Sequence, residues 1–349
     1  MQKKFTKLIF LEEFEGQGTV KVGIKAGRGM SEIKNQQEPM LRGRFAPSPT
    51  GEMHLGNAWT ALLAWLQVRA ARGTMVLRLE DLDPDRSRPE YGAGLMDDLT
   101  WLGLDWDEGP DRGGLYGPYR QSQRRHLYQQ ALEQLAAAGL IYPCYCTRAQ
   151  LAASAPHAGS GERIYSGLCR RRPPVSGDEG LHPALRLVVP SGTISFTDGV
   201  RGLIRQDVQR ETGDFVVRRS DGIHAYQLAV VVDDAAMKIT AVLRGDDLLS
   251  STPRQLLLYK LLQLSLPAFT HVPLLISEDG HRLSKRQRDL SITALRRRGV
   301  KATAIIGYLA WKAGLIEKRQ PVMPSDLVAG FTLSGIPAGP VIVERDLTF

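Results

Sequence analysis

Hydrophobic and polar positions along the chain first become regular after Leu41. The segment LRGRFAP predicts a short strand that runs into the turn PSPTG. The segment 51–73 then carries apolar residues at helical spacing and ends at Gly73, and MVLRLED predicts a second strand. A strand, a Gly/Pro turn, a helix and a strand in this order predict a βαβ unit of a parallel sheet.

Further along, the pattern predicts helices at about 89–103 and 121–139, and an irregular stretch at 141–180 that suggests an inserted module. Alternating segments follow in the order LRLVV, ISFTD, FVVRR and HAYQLAVVVDD. KITAVLRG, a helix at about 253–264 and a strand near HVPLL restore an α/β pattern. The chain is helical again through TAIIGYLAWKAGL and ends in a Pro-rich tail, and we expect about the last 30 residues to be irregular.

Composition limits the class of protein. The 349 residues are 43% hydrophobic and 23% charged, which excludes a wholly disordered chain, a collagen-like repeat and a coiled-coil rod. No apolar run approaches the roughly 18 to 20 residues that span a bilayer. The basic opening reaches Glu12 and Glu13 too soon for a signal peptide, so we expect a cytoplasmic protein, with a monomer as the default.

Positive charge is concentrated in one segment. The net charge is +8, and residues 281–320 alone hold eleven Lys and Arg against two acids. Such a segment predicts either a binding face for phosphate or nucleic acid, or a solvated helix surface. Charge alone leaves both interpretations open.

The three cysteines, Cys144, Cys146 and Cys169, lie within 26 residues of one another. An odd, clustered set favours a metal site over a disulfide scaffold in a cytosolic protein. Thiolates bind Zn²⁺ tetrahedrally, and a small irregular insert gains stability from the metal. On residue type alone, His157 is the generic fourth ligand.

The turn PSPTGEMHLGN lies between the first predicted strand and the N-terminus of the first helix. Free backbone N–H groups and the positive end of the helix dipole favour an anion there, such as a nucleotide phosphate. Gly51 and Gly56 let the backbone approach a ligand, and His54 can donate to a phosphoryl oxygen. A second candidate is the loop GHRLSKRQ, where Ser284 and Lys285 could close over a triphosphate.

Together, these motifs resemble the HIGH and KMSKS signatures of class I aminoacyl-tRNA synthetases. The segments RFAPSPTGEMHLGNA, RLEDLDPDR, GIHAYQLAVVVDD and VLRGDDLLSSTPRQLLLY are similar to the glutamyl branch of that family, from Arg42 to Ala313. The chain departs from the signatures at Asn57, which replaces the second His, and in the loop Arg282–Arg286, which lacks the first Lys and last Ser of KMSKS.

The resemblance implies an amino-acid pocket and an ATP site. The glutamate site would comprise Arg44, Phe45, Ala46, Pro47, Ser48, Glu80, Tyr226 and Arg244. Bidentate arginine and a tyrosine hydroxyl suit the side-chain carboxylate of glutamate, and Glu80 suits its ammonium group. ATP with Mg²⁺ would bind Pro47, Gly51, His54, Gly56, Asn57, Ser284 and Lys285, with His54 and Lys285 as catalytic residues. We interpret Asp233 and Asp234 as structural turn residues and not as a metal pair.

The resemblance also extends to the cysteine cluster, where it implies structural zinc on Cys144, Cys146, Tyr165 and Cys169. This assigns Tyr165, and not His157, as the fourth ligand. Zinc there would order the insert without taking part in the reaction.

Only 63 residues follow Arg286, too few for an anticodon-binding domain of ordinary size. The chain therefore resembles the short paralogues called glutamyl-Q tRNA(Asp) synthetases. That likeness implies tRNA-independent activation of L-glutamate, followed by transfer to the queuosine base in the anticodon of tRNA(Asp). The alternatives are a truncated conventional glutamyl-tRNA synthetase charging the 3′ end, a general nucleotidylyltransferase, or a catalytically silent RNA-binding paralogue.

These inferences give an α/β fold class, with a Rossmann-like parallel sheet, an inserted acceptor-type, zinc-binding module and a short helical C-terminal part. We expect residues 1–40 to be a disordered tail or a misassigned start. The first half of the catalytic domain would span 41–140 and the zinc-binding insert 141–180. Residues 181–270 would hold the rest of the insert and the second half of the catalytic domain. The KMSKS-like loop, a helical stem and the tail would occupy 271–349.

Overall fold

A computed structural model describes residues 40–147, 150–151, 164–171, 182–281 and 290–344. Several predicted features lie outside these ranges. They are nearly all of the N-terminal segment, His157, and the KMSKS-like loop with Ser284 and Lys285.

The elements follow in chain order. The strands are β1 (Arg42–Phe45), β2 (Thr74–Leu77), β3 (Ile141–Cys144), β4 (Ala184–Leu187), β5 (Thr193–Asp198), β6 (Gly202–Asp207), β7 (Val216–Arg218), β8 (Ala241–Gly245), β9 (Ala268–Val272), β10 (Leu275–Ser277) and β11 (Val341–Val343). The helices are α1 (Leu55–Ala70), α2 (Pro89–Trp101), α3 (Arg125–Ala137), α4 (Val208–Glu211), α5 (Tyr226–Ala236), α6 (Thr252–Leu261), α7 (Ile292–Arg297) and α8 (Ala302–Lys312). Short 3₁₀ helices cover Gln121–Gln123, Asp246–Ser251, Pro324–Leu327 and Leu333–Gly335. No helix in the described ranges is long and apolar enough to cross a membrane.

The central sheet has four parallel strands in the order β2-β1-β8-β9, which confirms the predicted βαβ unit. The chain moves from β1 through α1 to β2 on one side, and β8 later pairs with the other side of β1. The strand order therefore reverses between β1 and β8. In open α/β sheets, ligands bind outside the carboxyl ends of the strands at such a switch point.

Both faces of the sheet are covered, because successive side chains of a strand point to opposite sides. Met75 and Leu77 of β2 pack into one core with α1, α2, α7 and α8, while Val76 packs into a second core with α3, α5 and α6. The close fit of α1 to the sheet requires Gly43, where an added Cβ would lie 2.4 Å from Val68 Cγ2. A residue with any side chain at this position would push α1 away from β1.

The insert contains two small antiparallel units. Strands β3, β4 and β7 form one sheet, and β5 and β6 form a hairpin. The hairpin is docked on the central sheet through Gly199, whose N–H donates to the Phe269 carbonyl at 3.0 Å. An added Cβ at Gly199 would approach the Thr270 hydroxyl to 2.5 Å, so this contact requires glycine.

Two expectations from the sequence were wrong. HAYQLAVVVDD, grouped with the alternating segments, contains helix α5, because an apolar run that is buried all round has no strand or helix period to distinguish it. The C-terminal tail is not irregular throughout, since β11 pairs in parallel with β10 and buries Val341 and Val343. Burial of these two side chains thus holds part of the tail in a strand, although its prolines suggested irregular structure.

Asp233 and Asp234 lie on α5 and not in a turn, although their structural role agrees with our interpretation. Asp233 is fully buried and accepts from Arg124 Nε at 2.6 Å, from Gln121 Nε2 at 2.8 Å and from the Tyr128 hydroxyl at 2.8 Å. Its carboxylate therefore anchors α5 to the segment that leads into α3.

We expect Asp233→Asn to lower the free energy of unfolding by about 3–5 kcal/mol, because it leaves the buried Arg124 guanidinium without its counter-charge. Urea denaturation measures the change. Asp97→Asn is the control, since Asp97 pairs with Arg296 on the surface at 2.8 Å and its loss should cost under about 1 kcal/mol. Equal effects of the two substitutions would contradict the structural role of Asp233.

Candidate active site

A cavity of about 370 Å³ lies at the carboxyl ends of β1 and β8, where the strand order reverses. Every residue that the sequence assigned to the glutamate site lines it: Arg44, Phe45, Ala46, Pro47, Ser48, Glu80, Tyr226 and Arg244. Gly51, His54, Gly56 and Asn57 of the proposed ATP site line the same cavity. The structure thus brings together residues that are up to 200 positions apart in the sequence.

Sequence reasoning missed part of the lining. The further residues are Thr50, Glu52, Met53, Trp59, Thr60, Leu95, Leu243, Gly245, Asp247, Leu248, Leu274 and Leu275. Most of them flank a motif residue or belong to the segment after β8. The residues after β8 could have been predicted to line the cavity, because they directly follow the end of a predicted strand.

His54 caps α1. Its Nδ1 accepts from the Asn57 backbone N–H at 3.3 Å, and the Asn57 side-chain oxygen accepts from the His54 N–H at 3.2 Å. This reciprocal pair is a capping box, so Asn57 stabilises the turn in place of the second histidine of the HIGH signature. Because Nδ1 accepts, the proton of neutral His54 is on Nε2.

Ser291 connects the far end of the chain to this turn. It forms a β-bridge with His54, and the Ile292 N–H donates to the Met53 carbonyl at 2.8 Å. The residues that directly follow the KMSKS-like loop in the sequence therefore lie beside the cap of α1.

Arg244 is buried and lines the cavity from the end of β8. Its described hydrogen-bond partners are all neutral: His271 Nε2 at 3.0 Å, Thr252 Oγ1 at 2.7 Å, and the Tyr226 hydroxyl and Leu248 carbonyl at the longer distances of 3.4 and 3.5 Å. Burial lowers the pKa of Arg244 from its ordinary value. A buried guanidinium without a direct carboxylate contact among the described residues favours an anionic ligand.

Arg44 differs from Arg244 because it already has a counter-charge. Its Nε lies 3.3 Å from Asp234 Oδ1, and Asp234 also accepts from Arg78 Nη1 at 2.7 Å. Burial acts to raise the pKa of Asp234, but Arg44 and Arg78 overcome it and leave the pKa below its ordinary value. Asp234 therefore stays ionised behind the cavity.

Glu80 is a buried carboxylate of the cavity wall, with a side chain only 8% exposed. Its Oε1 accepts from Arg78 Nη2 at 3.2 Å, and its backbone N–H donates to the Pro47 carbonyl at 3.0 Å. Burial raises the pKa of Glu80, and Arg78 and Arg44 oppose the rise. An ammonium group in the cavity would add to that opposition and hold Glu80 ionised.

A second cavity, of about 560 Å³, adjoins the first and shares Ser48, Thr50, Glu80 and Tyr226 with it. Its other lining residues include Asp83, Arg86, Ser87, Arg219 and His224. Glu80 and Tyr226 thus line both of these adjoining cavities.

The three cysteine sulfurs lie within 4.8 Å of one another in the insert. The Tyr165 hydroxyl is 3.6 Å from Cys144 Sγ and 3.7 Å from Cys146 Sγ, and Cys146 Sγ is 3.4 Å from Cys169 Sγ. Three thiols at one point are a donor set that suits Zn²⁺, and the Tyr165 hydroxyl lies beside them as a fourth oxygen. The structure therefore brings together the four residues that the sequence assigned.

Comparisons with known proteins identify the family. The model for tRNA synthetases class I (E and Q), catalytic domain, matches residues 40–328. A glutamyl-Q tRNA(Asp) synthetase of Nitratidesulfovibrio vulgaris is 52% identical over 314 residues, which cover 88% of this chain and 97% of the relative. A glutamate–tRNA ligase of Sulfurihydrogenibium is 41% identical, but the match covers 65% of that relative.

Among solved structures, a glutamate–tRNA synthetase from Elizabethkingia anophelis is similar with a TM-score of 0.77 and 28% sequence identity. The match covers 88% of this chain and 69% of that one. These findings confirm the resemblance to the glutamyl branch that the motifs indicated. The chain belongs to the class I tRNA synthetases of the glutamate and glutamine (E and Q) type.

Proposed function

We propose that this protein activates L-glutamate with ATP to glutamyl-adenylate and transfers the glutamate to the queuosine base in the anticodon of tRNA(Asp). The observation that carries the amino-acid assignment is the buried Arg244, whose described partners are neutral and which shares its cavity with the carboxylate of Glu80. This cavity suits a ligand with an anionic side chain and an ammonium group.

Arg244 would bind the side-chain carboxylate of glutamate, with the Tyr226 hydroxyl beside it. Glutamine has a neutral amide at that position and would leave the Arg244 charge buried without compensation, so the site would discriminate against it. Arg44 would have a supporting role, because Asp234 already neutralises much of its charge. Glu80 would bind the ammonium group, and Ala46, Pro47 and Ser48 would form the wall between the two ends.

ATP would bind along the turn 47–57. The N-terminus of α1 offers N–H groups to the phosphates, and Nε2 of His54 can donate to a phosphoryl oxygen. Mg²⁺ bound with ATP would offset phosphate charge, and Ser284 and Lys285, outside the described residues, are proposed to contact the phosphates. The glutamate α-carboxylate would attack the α-phosphate, forming the adenylate and releasing pyrophosphate.

The queuosine acceptor is supported by the relative named glutamyl-Q tRNA(Asp) synthetase, which the chain matches over 97% of that relative's length. The adjoining cavity offers space for an acceptor group next to Glu80 and Tyr226. A hydroxyl of the cyclopentene ring would attack the glutamyl carbonyl and release AMP. An acyl-adenylate is already activated, so we assign no general base to this step.

The RNA backbone would contact the basic segment at the C-terminal part of the chain. Arg296, Arg297, Arg298, Lys301 and Arg319 are exposed, whereas Lys312 is half-buried beside Glu344. Exposed arginines bind phosphates without reading sequence, so this surface would position the tRNA while the pocket selects the base. Arg170 and Arg171 of the insert would be a separate contact for the RNA backbone.

Zinc would be structural. Cys144, Cys146, Cys169 and Tyr165 would hold it and so connect β3 to the segment around Tyr165, where the small buried cluster has few apolar side chains. Such a metal contributes folding energy and does not take part in the transfer.

A conventional glutamate–tRNA ligase that charges the 3′ end is the second candidate, because a relative with that name is 41% identical over 315 residues. Adenylate formation would be the same in both enzymes. The acceptor therefore has to be determined with RNA.

We expect labelled glutamate to enter bulk tRNA in an ATP-dependent reaction only when the tRNA contains queuosine. Enzymatic removal of the 3′-terminal nucleotides beforehand should leave this labelling intact, because the proposed acceptor is the base. tRNA from cells unable to make queuosine is the matched control. Labelling that ignores queuosine and needs an intact 3′ end would establish the conventional ligase instead.

We expect Arg244→Gln to raise the KM for glutamate in ATP–pyrophosphate exchange by about a hundredfold, because a charge-assisted hydrogen bond to the carboxylate is lost. The KM for ATP should stay unchanged. Arg205→Gln, on the exposed strand β6, is the control for loss of one positive charge. Equal glutamate KM values for Arg244→Gln and the wild type would refute the assignment.

We expect about one zinc per chain by elemental analysis, and loss of it in Cys169→Ser. Tyr165→Phe should weaken zinc binding while preserving the ring that stacks 3.8 Å from the Arg186 guanidinium. His157→Ala is the matched test of the other candidate ligand. Zinc loss in His157→Ala with full retention in Tyr165→Phe would show that Tyr165 is not the fourth ligand.

A further inference from the structure

A buried chain of side chains extends from Arg244 away from the cavity, to the turn of the β5–β6 hairpin. Arg244 Nε lies 3.0 Å from His271 Nε2, and His271 Nδ1 lies 2.6 Å from Asp198 Oδ2. His271 is fully buried and Asp198 is 3% exposed. The three groups therefore interact without competition from water.

The hydrogen-bond directions in this chain follow from chemistry. An arginine Nε always carries a hydrogen, so His271 Nε2 must accept from Arg244. The proton of the neutral imidazole is then on Nδ1 and is donated to Asp198. Burial, together with the nearby Arg244, lowers the pKa of His271 although Asp198 opposes it, which agrees with a neutral ring.

Asp198 is itself held in place. Its Oδ1 accepts from the backbone N–H groups of Val200 at 3.0 Å, Arg201 at 2.9 Å and His271 at 3.2 Å. Burial acts to raise its pKa, but the hydrogen bonds from His271 and the backbone leave the pKa below its ordinary value. Asp198 is therefore an ionised and immobile acceptor.

Thr252, the first residue of α6, completes the support of Arg244. Its hydroxyl accepts from Arg244 Nη2 at 2.7 Å and lies 3.0 Å from His271 Nε2. The Phe269 ring lies 5.3 Å from the guanidinium carbon. His271 and Thr252 thus hold Nε and Nη2 of the guanidinium on the side away from the cavity, and Nη1 faces Tyr226.

We propose that Asp198 and His271, with Thr252, are positioning residues that orient the Arg244 guanidinium for the side-chain carboxylate of glutamate. This inference rests on the proposed role of Arg244. Asp198 acts by selecting the His271 tautomer whose Nε2 can accept, and the hairpin of the insert thereby determines the geometry of the amino-acid pocket. Misorientation of the Nη1 edge that faces the cavity would weaken its charge-assisted hydrogen bonding to the carboxylate strongly.

Asp198→Asn is the sharpest variant. The asparagine oxygen can still accept from the three backbone N–H groups, but its amide nitrogen would donate to His271 Nδ1. The imidazole proton then moves to Nε2, which faces the Nε–H of Arg244 with a second donor. We expect the KM for glutamate in ATP–pyrophosphate exchange to rise by about tenfold, the cost of one unpaired buried donor, with the KM for ATP unchanged.

Asp207→Asn is the matched control, because Asp207 lies at the opposite end of the same hairpin, paired with Thr193. Nitrogen NMR of histidine-labelled protein gives a readout that a merely structural role would not move. We expect the His271 ring to carry its proton on Nδ1 in the wild type and on Nε2 in Asp198→Asn. An unchanged glutamate KM in folded Asp198→Asn would overturn the proposal.

If Asp198→Asn does not fold, Thr252→Val and Thr252→Ser test whether the residues behind Arg244 position its guanidinium. The valine variant removes only the hydroxyl and should raise the glutamate KM, and the serine variant should restore it. Equal KM values for both would overturn the proposal. Failure of the wild type to exchange with glutamate at all would contradict the proposed function itself, and with it any role of Asp198 in glutamate binding.

Discussion

Burying arginine is the constraint on which this site depends. Arg44, Arg78, Arg124 and Arg244 are each at most 4% exposed, and an isolated buried charge is too costly to persist without compensation. Asp233 and Asp234, adjacent on α5, compensate Arg124, Arg78 and Arg44 through direct contacts. Arg244 instead contacts an imidazole and a hydroxyl, so its compensation from the protein is indirect and the cavity side remains available to an anion.

The same constraint explains why α5 is essential to the fold as well as to the site. Tyr226, at its first turn, faces the cavity, while the aspartates two turns later neutralise the arginines behind it. Moving the helix would therefore change both the shape of the pocket and its charge balance. Buried ion pairs tolerate little change in geometry. A substitution that shifts α5 to reshape the pocket would therefore also lower the stability of the fold.

Much of the site could be predicted from the sequence, because the phosphate turn, the RLED segment and VLRGDD resemble motifs of the glutamyl branch. These segments follow strands whose parallel order brings their ends together. The glutamate-site residues on these segments line one cavity for this reason, and Tyr226 lines it from the first turn of α5. Asp198 and His271 could not be predicted, since neither belongs to a motif and a histidine within a strand is more often a packed core residue. Their role depends on docking of the hairpin at Gly199, a contact between segments with no common pattern. The helix around HAYQL was missed because complete burial removes the periodicity that distinguishes helix from strand.

The strand order has a consequence for synthesis of the chain. β1 pairs with β2, which lies close in sequence, but the other edge of β1 waits for β8, since Arg42 and its partner Thr240 are 198 positions apart. At ribosomal speed this interval lasts roughly 10 to 40 s. During that time the first βαβ unit has an unpaired inner strand edge and an uncovered apolar face, features that promote association with other chains. A chaperone would therefore protect this protein most during the interval between synthesis of β1 and synthesis of β8.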